Sequence, residues 1–274
     1  TKPGTACSGR SLGLRALAFC QSSAKTAAMR IAVISDIHGN IAALEAVLDD
    51  IQRRGVDVTV NLGDSLSGPF DACATAERLI PMALPTVRGN HDRALHDRPT
   101  AEMGLWESWV IDDLASDHLD WVKALPLTLE LDGVLLCHGT PAADDENWLD
   151  HRGPEDRLVA RDMEAVETRA AGHDFELIRC GHTHTARSVR LRDGRMIVNP
   201  GAVGCPAYLD ERMKPHFIHQ TGAPDARYCI VEKTNAGWVV DQIAWPYDAS
   251  RMAELARAKG AESWAMAVTR GWYV

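Results

Sequence analysis

The sequence predicts an α/β fold, and three features of the chain after Met29 lead to this prediction. Short apolar runs alternate with segments of helical spacing, as in strand–helix–strand units. Several apolar runs end in a polar residue of the kind that binds metal ions, which is where open α/β sheets carry their sites. Two Asp-Gly pairs, at 132–133 and 193–194, predict tight hairpins that add antiparallel strands.

The first part of the chain predicts a parallel sheet whose strands are joined by helices. Asn40 is of the residue type that caps helices, and it precedes a run of helical apolar spacing. Gly55 ends that run, and Pro81 ends the next one. The predicted strands here are 31–34, 56–60 and 84–87, and the predicted helices are 41–51 and 72–80.

The region 93–125 has irregular helical spacing and contains three tryptophans. Trp106, Trp109 and Trp121 are either an aromatic wall for a nucleobase or, in the interpretation we prefer, residues that pack helices against the sheet.

The second part of the chain predicts hairpins, another crossover and a closing strand pair. We expect 140–172 to form a loop and a surface helix. We expect 206–226 to form a polar loop, whose His216 and His219 either reach the mouth of the site or, as we prefer, are simply exposed. The remaining predicted strands are 127–131, 134–137, 175–180, 188–191, 195–198, 228–232 and 238–243, followed by a helix over 249–258.

The composition excludes several classes of partner. The chain has 274 residues, 46% of them hydrophobic and 24% charged, and a formal net charge of -9. This charge argues against binding nucleic acid or an anionic membrane through a basic surface, and no apolar run is long enough to span a bilayer. An anionic substrate remains compatible, because bound cations would reverse the local field.

The cysteines indicate a reducing compartment, and we expect a cytoplasmic location. There are seven, an odd number, without a Cys-x-x-Cys pair. Cys137 and Cys180 each end an apolar run, and we expect them to be small buried residues rather than soft metal ligands.

Residues 1–28 differ from the rest because they carry basic residues and no acidic one. They are either an organellar transit peptide or, as we expect, an upstream extension before Met29. Residues 29–274 are predicted to form a single domain.

Eight polar side chains of metal-ligand type follow the predicted strands. Because the carboxyl ends of parallel strands meet at one edge of a sheet, we expect these side chains to lie together. A mixed oxygen and nitrogen set suits Mn²⁺, Fe, Ni²⁺ or Zn²⁺ better than Ca²⁺ or Mg²⁺, and its size suits two ions about 3.5–4 Å apart that share a carboxylate. The eight residues are Asp36, His38, Asp64, Asn90, His91, His138, His182 and His184.

These residues stand in ordered motifs, and the order carries a resemblance. The motifs are Asp36-Ile-His38-Gly39-Asn40, Gly63-Asp64, Gly89-Asn-His-Asp92, His138-Gly-Thr-Pro141, Gly181-His-Thr-His184 and Asn199-Pro-Gly-Ala-Val-Gly204. Over about residues 29–247 the chain resembles the calcineurin-like metallophosphoesterases, and in detail their small bacterial and archaeal phosphodiesterase branch. The resemblance implies a four-layer α/β/β/α sandwich. Two mixed sheets would pack face to face with helices outside and a dinuclear metal site at the strand ends.

The resemblance also implies a role for each site residue. The cofactors would be two divalent metal ions, with Mn²⁺ the first choice and Fe, Ni²⁺ or Zn²⁺ the alternatives. His91 would be the general acid that protonates the leaving oxygen, and Asp92 would hold its ring. Asp36, His38 and His184 would bind one ion, Asn90, His138 and His182 the other, and Asp64 would bridge them.

The expected activity is hydrolysis of a phosphodiester, or of a phosphomonoester, by attack of a metal-activated hydroxide. The substrate would be a small phosphate ester or a nucleotide. Two alternatives stay open among enzymes, a nucleotidase and a dinucleoside polyphosphate hydrolase. The alternative of another class is a non-catalytic metal-binding scaffold on the same fold.

Overall fold

Strands and helices alternate along residues 29–210 and 216–273, the parts of the chain that this computed structural model describes. The strands are β1 (Arg30–Ile34), β2 (Val58–Asn61), β3 (Thr128–Leu131), β4 (Val134–Cys137), β5 (Asp150–Arg152), β6 (Leu158–Ala160), β7 (Leu177–Arg179), β8 (Arg187–Arg190), β9 (Met196–Asn199), β10 (Ala207–Asp210), β11 (Phe217–Gln220), β12 (Ala226–Thr234) and β13 (Gly237–Trp245). The helices are α1 (Ile41–Arg54), α2 (Ala72–Leu79), α3 (Asn90–Asp97), α4 (Leu105–Ser108), α5 (Ser116–Ala124), α6 (Met163–Ala170), α7 (Ser250–Ala258) and α8 (Glu262–Arg270). The predicted extension, residues 1–28, lies outside the described residues.

Nine of the strands form two mixed sheets. The first has the order β13-β12-β1-β2, in which β1 is parallel to β2 and antiparallel to β12. The second has the order β3-β4-β7-β9-β8, in which the three central strands are parallel and the two edge strands antiparallel. The mixed sheets predicted from the crossovers and the Asp-Gly hairpins are therefore confirmed.

Successive apolar side chains of a strand point to opposite faces of its sheet, and each face packs against a different layer. In β1, Ile31 and Val33 pack in the core between the two sheets, whereas Ala32 and Ile34 pack against α1. The second sheet behaves likewise, because its outward-facing residues pack in one cluster with Val166 of α6. Full burial of one such side chain contributes about 1.5–3 kcal/mol, so the apolar side chains on the two faces of a strand hold the layers on either side of it together. The four-layer order that the motifs implied is confirmed.

Helix α1 holds the first candidate ligands in place. The side chain of Asn40 caps it by accepting a hydrogen bond from the N–H of Ala43 at 3.0 Å. The Asn40 amide also donates to the carbonyl of Gly204 at 3.1 Å and to the hydroxyl of Tyr247 at 2.9 Å. The loop between β1 and α1 is therefore tied to two distant parts of the chain.

Three regions differ from the sequence-based expectation. The strand predicted over 84–87 is only a single bridge between Asn61 and Thr86, because Pro85 has no N–H to extend the ladder. The expected loop of 140–172 contains the hairpin β5–β6, anchored by the buried carboxylate of Asp150, which accepts hydrogen bonds from Arg187 and Thr183. Helix α8, for which we made no prediction, follows α7.

The region expected to be a polar loop, 206–226, contains the hairpin β10–β11. Tyr208 pairs with His219, and Phe217 with Asp210, so that alternate side chains turn inward. His219 is buried, so the expectation that it is exposed is wrong, whereas His216 is exposed as expected.

The predicted roles of the other residues agree with the core. Cys137 and Cys180 are buried in the cluster between the second sheet and α6, as expected of small apolar residues. Among the described residues, no helix is long and apolar enough to cross a membrane.

Candidate metal centre

The side chains predicted to bind metal ions converge at one end of the two sheets. They come from the segments that follow β1, β2, β4 and β7, and from the first residue of α3. Their candidate ligand atoms form two groups, and within each group all the atoms lie within 4.8 Å of one another. One group is Asp36, His38 and His184, and the other is Asp64, His138 and His182.

The hydrogen bonds of the imidazoles show that both groups suit a cation. Nδ1 of His138 donates to the carbonyl of Leu62 at 2.7 Å, so in the neutral ring the lone pair lies on Nε2. That Nε2 lies 3.1 Å from Oδ2 of Asp64. Two acceptors at this separation repel each other unless a proton or a metal ion lies between them.

The other group has the same character. Nδ1 of His184 donates to the carbonyl of Cys205 at 2.8 Å, which leaves the lone pair on its Nε2. This nitrogen lies 3.2 Å from Nε2 of His38 and 3.2 Å from Oδ1 of Asp36. A cation between these atoms would satisfy all three.

Asn90 supplies a further oxygen. Its Oδ1 is buried and has no hydrogen-bond partner among the residues that the structure describes. Asn90 lines the same cavity as Asp64 and His182. Buried polar atoms without a partner are rare, so this oxygen also fits a metal ligand.

The charges explain how the metal-free protein tolerates so many buried ionisable groups. Burial raises the pKa of Asp36, but His184 and His138 outweigh it and lower that pKa to about 2. Burial lowers the pKa of His138, but Asp64 and Asp36 outweigh it and raise that pKa to about 9. Burial, followed by His184, lowers the pKa of His38 to about 3. Protons therefore neutralise this cluster where metal ions would otherwise do so.

Five of the candidate ligands have left-handed backbone conformations. Asp36, His38, Asp64, His182 and His184 have φ angles between +50° and +67°. Each such residue costs about 1–2 kcal/mol relative to a right-handed conformation, and strain of this kind clusters at functional sites. The conformation turns successive side chains of the Asp-x-His and His-x-His motifs toward the same centre.

Close contact between three loops keeps those conformations in place. The N–H of Asp36 donates to the carbonyl of Gly63, and the N–H of His38 donates to that of Asp64, both at 3.0 Å. Gly89 lies against Asp64 so closely that a Cβ at that position would overlap the Asp64 carboxylate. The glycine of the Gly89-Asn-His-Asp92 motif is therefore required by space.

Asp92 has a different partner from the one predicted. Its carboxylate accepts hydrogen bonds from the backbone N–H groups of Asp64 at 2.8 Å, Ser65 at 2.9 Å and Gly89 at 2.9 Å. It is fully buried. The prediction that Asp92 holds the His91 ring is therefore wrong, because its oxygens are used to join the loop after β2 to the start of α3.

Glu107 is the carboxylate that contacts His91, and sequence reasoning missed it. The Glu107 carboxylate is hydrogen-bonded to Nδ1 of His91, and its side chain is only 4% exposed. Trp106 stacks on the same ring, with centroids 4.6 Å apart and planes 11° apart. The backbone N–H of His91 donates to Oδ1 of Asp64 at 2.9 Å, and the rings of His91 and His38 lie 5.6 Å apart, so the ring stands beside the candidate ligands. Glu107 belongs to no motif, and a Trp-Glu pair in a region of irregular helical spacing does not indicate a functional residue.

The site opens into a cavity of about 220 Å³. Leu105, Trp106 and Tyr208 contribute apolar surface to it, and Arg98 also lines it. Trp109 and Trp121 instead pack in hydrophobic clusters, as preferred above. Of the three tryptophans, Trp106 therefore lines the site.

A third group of possible ligands, Cys73, Glu77 and His118, lacks these features. Nδ1 of His118 accepts a hydrogen bond from the N–H of Ala115 at 3.3 Å, so in the neutral ring Nε2 carries the proton. Burial and the neighbouring Glu77 raise the pKa of Cys73, which keeps it a thiol. These groups are a local contact between α2 and α5.

Comparison with known proteins agrees with this architecture. An uncharacterized protein of Methanocaldococcus jannaschii is 27% identical over 239 residues, which are 82% of this chain and 90% of that protein. The crystal structure of a metallophosphoesterase from Sphaerobacter thermophilus is 27% identical, with a TM-score of 0.66, and covers 89% of this chain and 100% of that one. A hypothetical protein from Pyrococcus horikoshii OT3 shares the fold at 16% identity and a TM-score of 0.66, with coverage of 90% and 100%.

Residues 29–221 match the family model of the calcineurin-like phosphoesterase superfamily domain. Because this match spans most of the chain, the protein belongs to that superfamily, as its motifs predicted.

Proposed function

We propose that this protein is a phosphoesterase that depends on two divalent metal ions and hydrolyses phosphodiester bonds. The observation that carries the proposal is the pair of ligand groups, each buried and each combining carboxylate with imidazole, beside a histidine at the same cavity. Membership of the superfamily and the relative from Sphaerobacter thermophilus, described as a metallophosphoesterase, support it.

The chain would divide the work between metal binding and proton transfer. Asp36, His38 and His184 would bind one ion, and His138, His182 and Asn90 the other, with Asp64 between them. Two bound cations would neutralise the charge of the phosphate group and activate a water molecule for in-line attack. Mn²⁺ is our first choice, with Fe, Ni²⁺ and Zn²⁺ as alternatives, because these ions accept mixed oxygen and nitrogen ligands.

His91 would protonate the leaving oxygen. The Glu107 carboxylate accepts a hydrogen bond from its Nδ1 and Trp106 stacks on the ring, so that together they hold the imidazole in one orientation. We therefore assign to Glu107 the positioning role that the sequence-based reasoning gave to Asp92.

The cavity favours a small ester as the substrate. Its volume of about 220 Å³ suits a compact phosphodiester or part of a nucleotide, and Trp106 and Tyr208 offer apolar faces to an aryl or nucleobase group. A nucleotidase and a dinucleoside polyphosphate hydrolase are the alternative activities of the same site.

The test is hydrolysis of an activated aryl phosphodiester by protein reconstituted with Mn²⁺. Asp64→Asn should lower kcat/KM by about 100-fold or more, because it removes the charge shared by the two groups. Asp112→Asn, at an exposed position, is the matched control and should keep the wild-type rate.

One outcome would support the alternative of a non-catalytic scaffold. If the wild-type protein bound two ions per chain and yet hydrolysed no ester with Mn²⁺, Fe²⁺, Ni²⁺ or Zn²⁺, the enzymatic proposal would be wrong and the metal site would be structural.

A further inference from the structure

A second cavity lies behind one wall of the metal centre. It has a volume of about 340 Å³, and its lining includes Arg157, Thr185, His219 and Arg227. Thr185 directly follows the candidate ligand His184. The loop after β7, the hairpin β10–β11 and strand β12 therefore place this cavity next to the site described above.

Two buried polar atoms at this cavity have no hydrogen-bond partner among the residues that the structure describes. His219 is only 8% exposed, and its Nε2 has no hydrogen-bond partner among the described residues. Nε of Arg227 is buried and is likewise without a partner in that part of the chain. Because unpaired buried polar groups are unfavourable, two of them at one cavity indicate a polar ligand that completes them.

The charge of the residues that line the cavity predicts the sign of the ligand's charge. No acidic residue is among its lining residues. Arg157 and Arg227 form no ion pair with any residue in the described ranges. In contrast, the neighbouring Arg152 pairs with Asp156, and Arg187 pairs with Asp150. Two unpaired guanidinium groups in a chain of net charge -9 make this a local positive site.

We propose that this cavity binds an oxyanion of the phosphate class. Guanidinium groups bind phosphate oxygens through pairs of parallel N–H donors, and two such groups can share one phosphate. Nε2 of His219 can bond a phosphate oxygen or its hydroxyl, according to the tautomer of the ring. The site is separate from the metal-binding residues, although the rings of His184 and His219 are only 6.2 Å apart.

The phosphate group can come from two sources. It is either a second phosphate of the substrate, whose first phosphate occupies the metal centre, or a free anion that binds beside the centre. Both sources use the same chemistry, and binding itself does not depend on the proposed esterase activity.

The first experiment measures binding of inorganic phosphate to the full-length protein kept metal-free with a chelator, by calorimetry or ³¹P NMR. Arg227→Gln should weaken binding by about tenfold or more, because it removes a charge-assisted pair of hydrogen bonds. Arg157→Gln, at an exposed position, should also weaken it. Arg190→Gln, on an exposed part of β8, is the matched control and should bind as the wild type does.

The second experiment separates the two sources by steady-state kinetics of the metal-loaded protein. If the substrate supplies the phosphate, Arg227→Gln should raise KM for an aryl diester bearing a second phosphate more than KM for the plain diester. If a free anion binds, the ratio of the two KM values should stay that of the wild type, while phosphate binding is still weakened. Equal phosphate affinity in the wild type and both variants, or no saturable binding, would overturn the proposal, even if the esterase activity is confirmed.

Discussion

Glu107 contacts Nδ1 of His91 through a side chain that is almost fully buried, and it does so from a helix outside every recognisable motif. The buried carboxylate holds the ring in one orientation, which is what the proposed donation of a proton to a leaving group requires.

Glu107→Gln should impair esters with poor leaving groups far more than activated ones. An alkyl ester needs a proton at its leaving oxygen, and a general acid contributes about 10²–10⁴-fold to such a step, whereas a nitrophenolate leaves without one. The measurement is kcat/KM across a series of leaving groups. Glu102→Gln, at an exposed residue near α4, is the control. Equal losses across the series would assign Glu107 a purely structural role.

Asp92→Asn should destabilise the fold without changing that leaving-group dependence. The Asn amide keeps one acceptor oxygen and replaces the other with an NH₂ group that cannot accept, so at least one of the three backbone N–H groups loses its partner, and an unsatisfied buried donor costs about 1–3 kcal/mol. For a chain of this size, we expect Tm to fall by about 5–10 °C. Calorimetry against Asp49→Asn, at an exposed position of α1, checks this. An unchanged Tm with a lost preference for good leaving groups would restore the role that sequence reasoning gave to Asp92.

The stabilisation by bound metal should grow as the pH rises from about 6.5 toward 9. The pKa of His138 is raised to about 9 in the metal-free protein by Asp64 and Asp36, which outweigh burial. The protonated ring therefore stabilises the metal-free fold fully below the pKa of the unfolded state, about 6.5. This stabilisation is lost as the pH rises through the pKa of the folded state, about 9. A bound cation replaces that proton, so the metal-bound protein avoids the loss.

The measurement is the Tm difference between Mn²⁺-loaded and chelated protein at several pH values. His138→Gln, which removes one of the titrating rings, should reduce the pH dependence of that difference, and His184, whose pKa Asp36 raises against the effect of burial, should account for the remainder. A Tm difference that is flat or falls with pH in the wild type would contradict the assignment of His138.

Gly89→Ala should reduce metal binding because its new methyl group would overlap the Asp64 carboxylate. We expect the metal affinity to fall by about 10–100-fold, the range seen when groups that orient ligands are removed. Gly194→Ala is the control, since no atom lies within 4 Å of its added Cβ. Its φ of +94° costs stability of about 1 kcal/mol but leaves the metal site untouched. Equal metal content in both variants would argue against this steric requirement.

The convergence of the candidate ligands was predictable because each of them lies within a few residues of a strand end, so local patterns carry the information. Asp36 and His38 are found by their place after an apolar run, and the shared sheet edge brings them to His184. Glu107, in contrast, reaches His91 through tertiary packing of α4, which no period or motif encodes. The error about Asp92 has the same origin, because adjacency to His91 in sequence says nothing about which backbone groups its carboxylate meets.

The hairpins were missed for another reason. In β10–β11, Tyr208 and His219 pair across the strands and both point inward. The strands are short and lie in a polar, proline-containing stretch, so the sequence shows no clear alternation of apolar and polar residues. Burial of His219 depends on packing against Tyr208, which a single sequence does not contain.

Each of the two ligand groups takes residues from both sheets, and this arrangement affects how the chain can fold. His38 and His184, whose Nε2 atoms lie 3.2 Å apart, are separated by 146 positions in the chain. Contacts of such long range form slowly, since the intervening polypeptide must first be organised. If the proposed ions bind, the two groups would be complete only after the sheets have docked, and each ion would then act as a cross-link that opposes their separation.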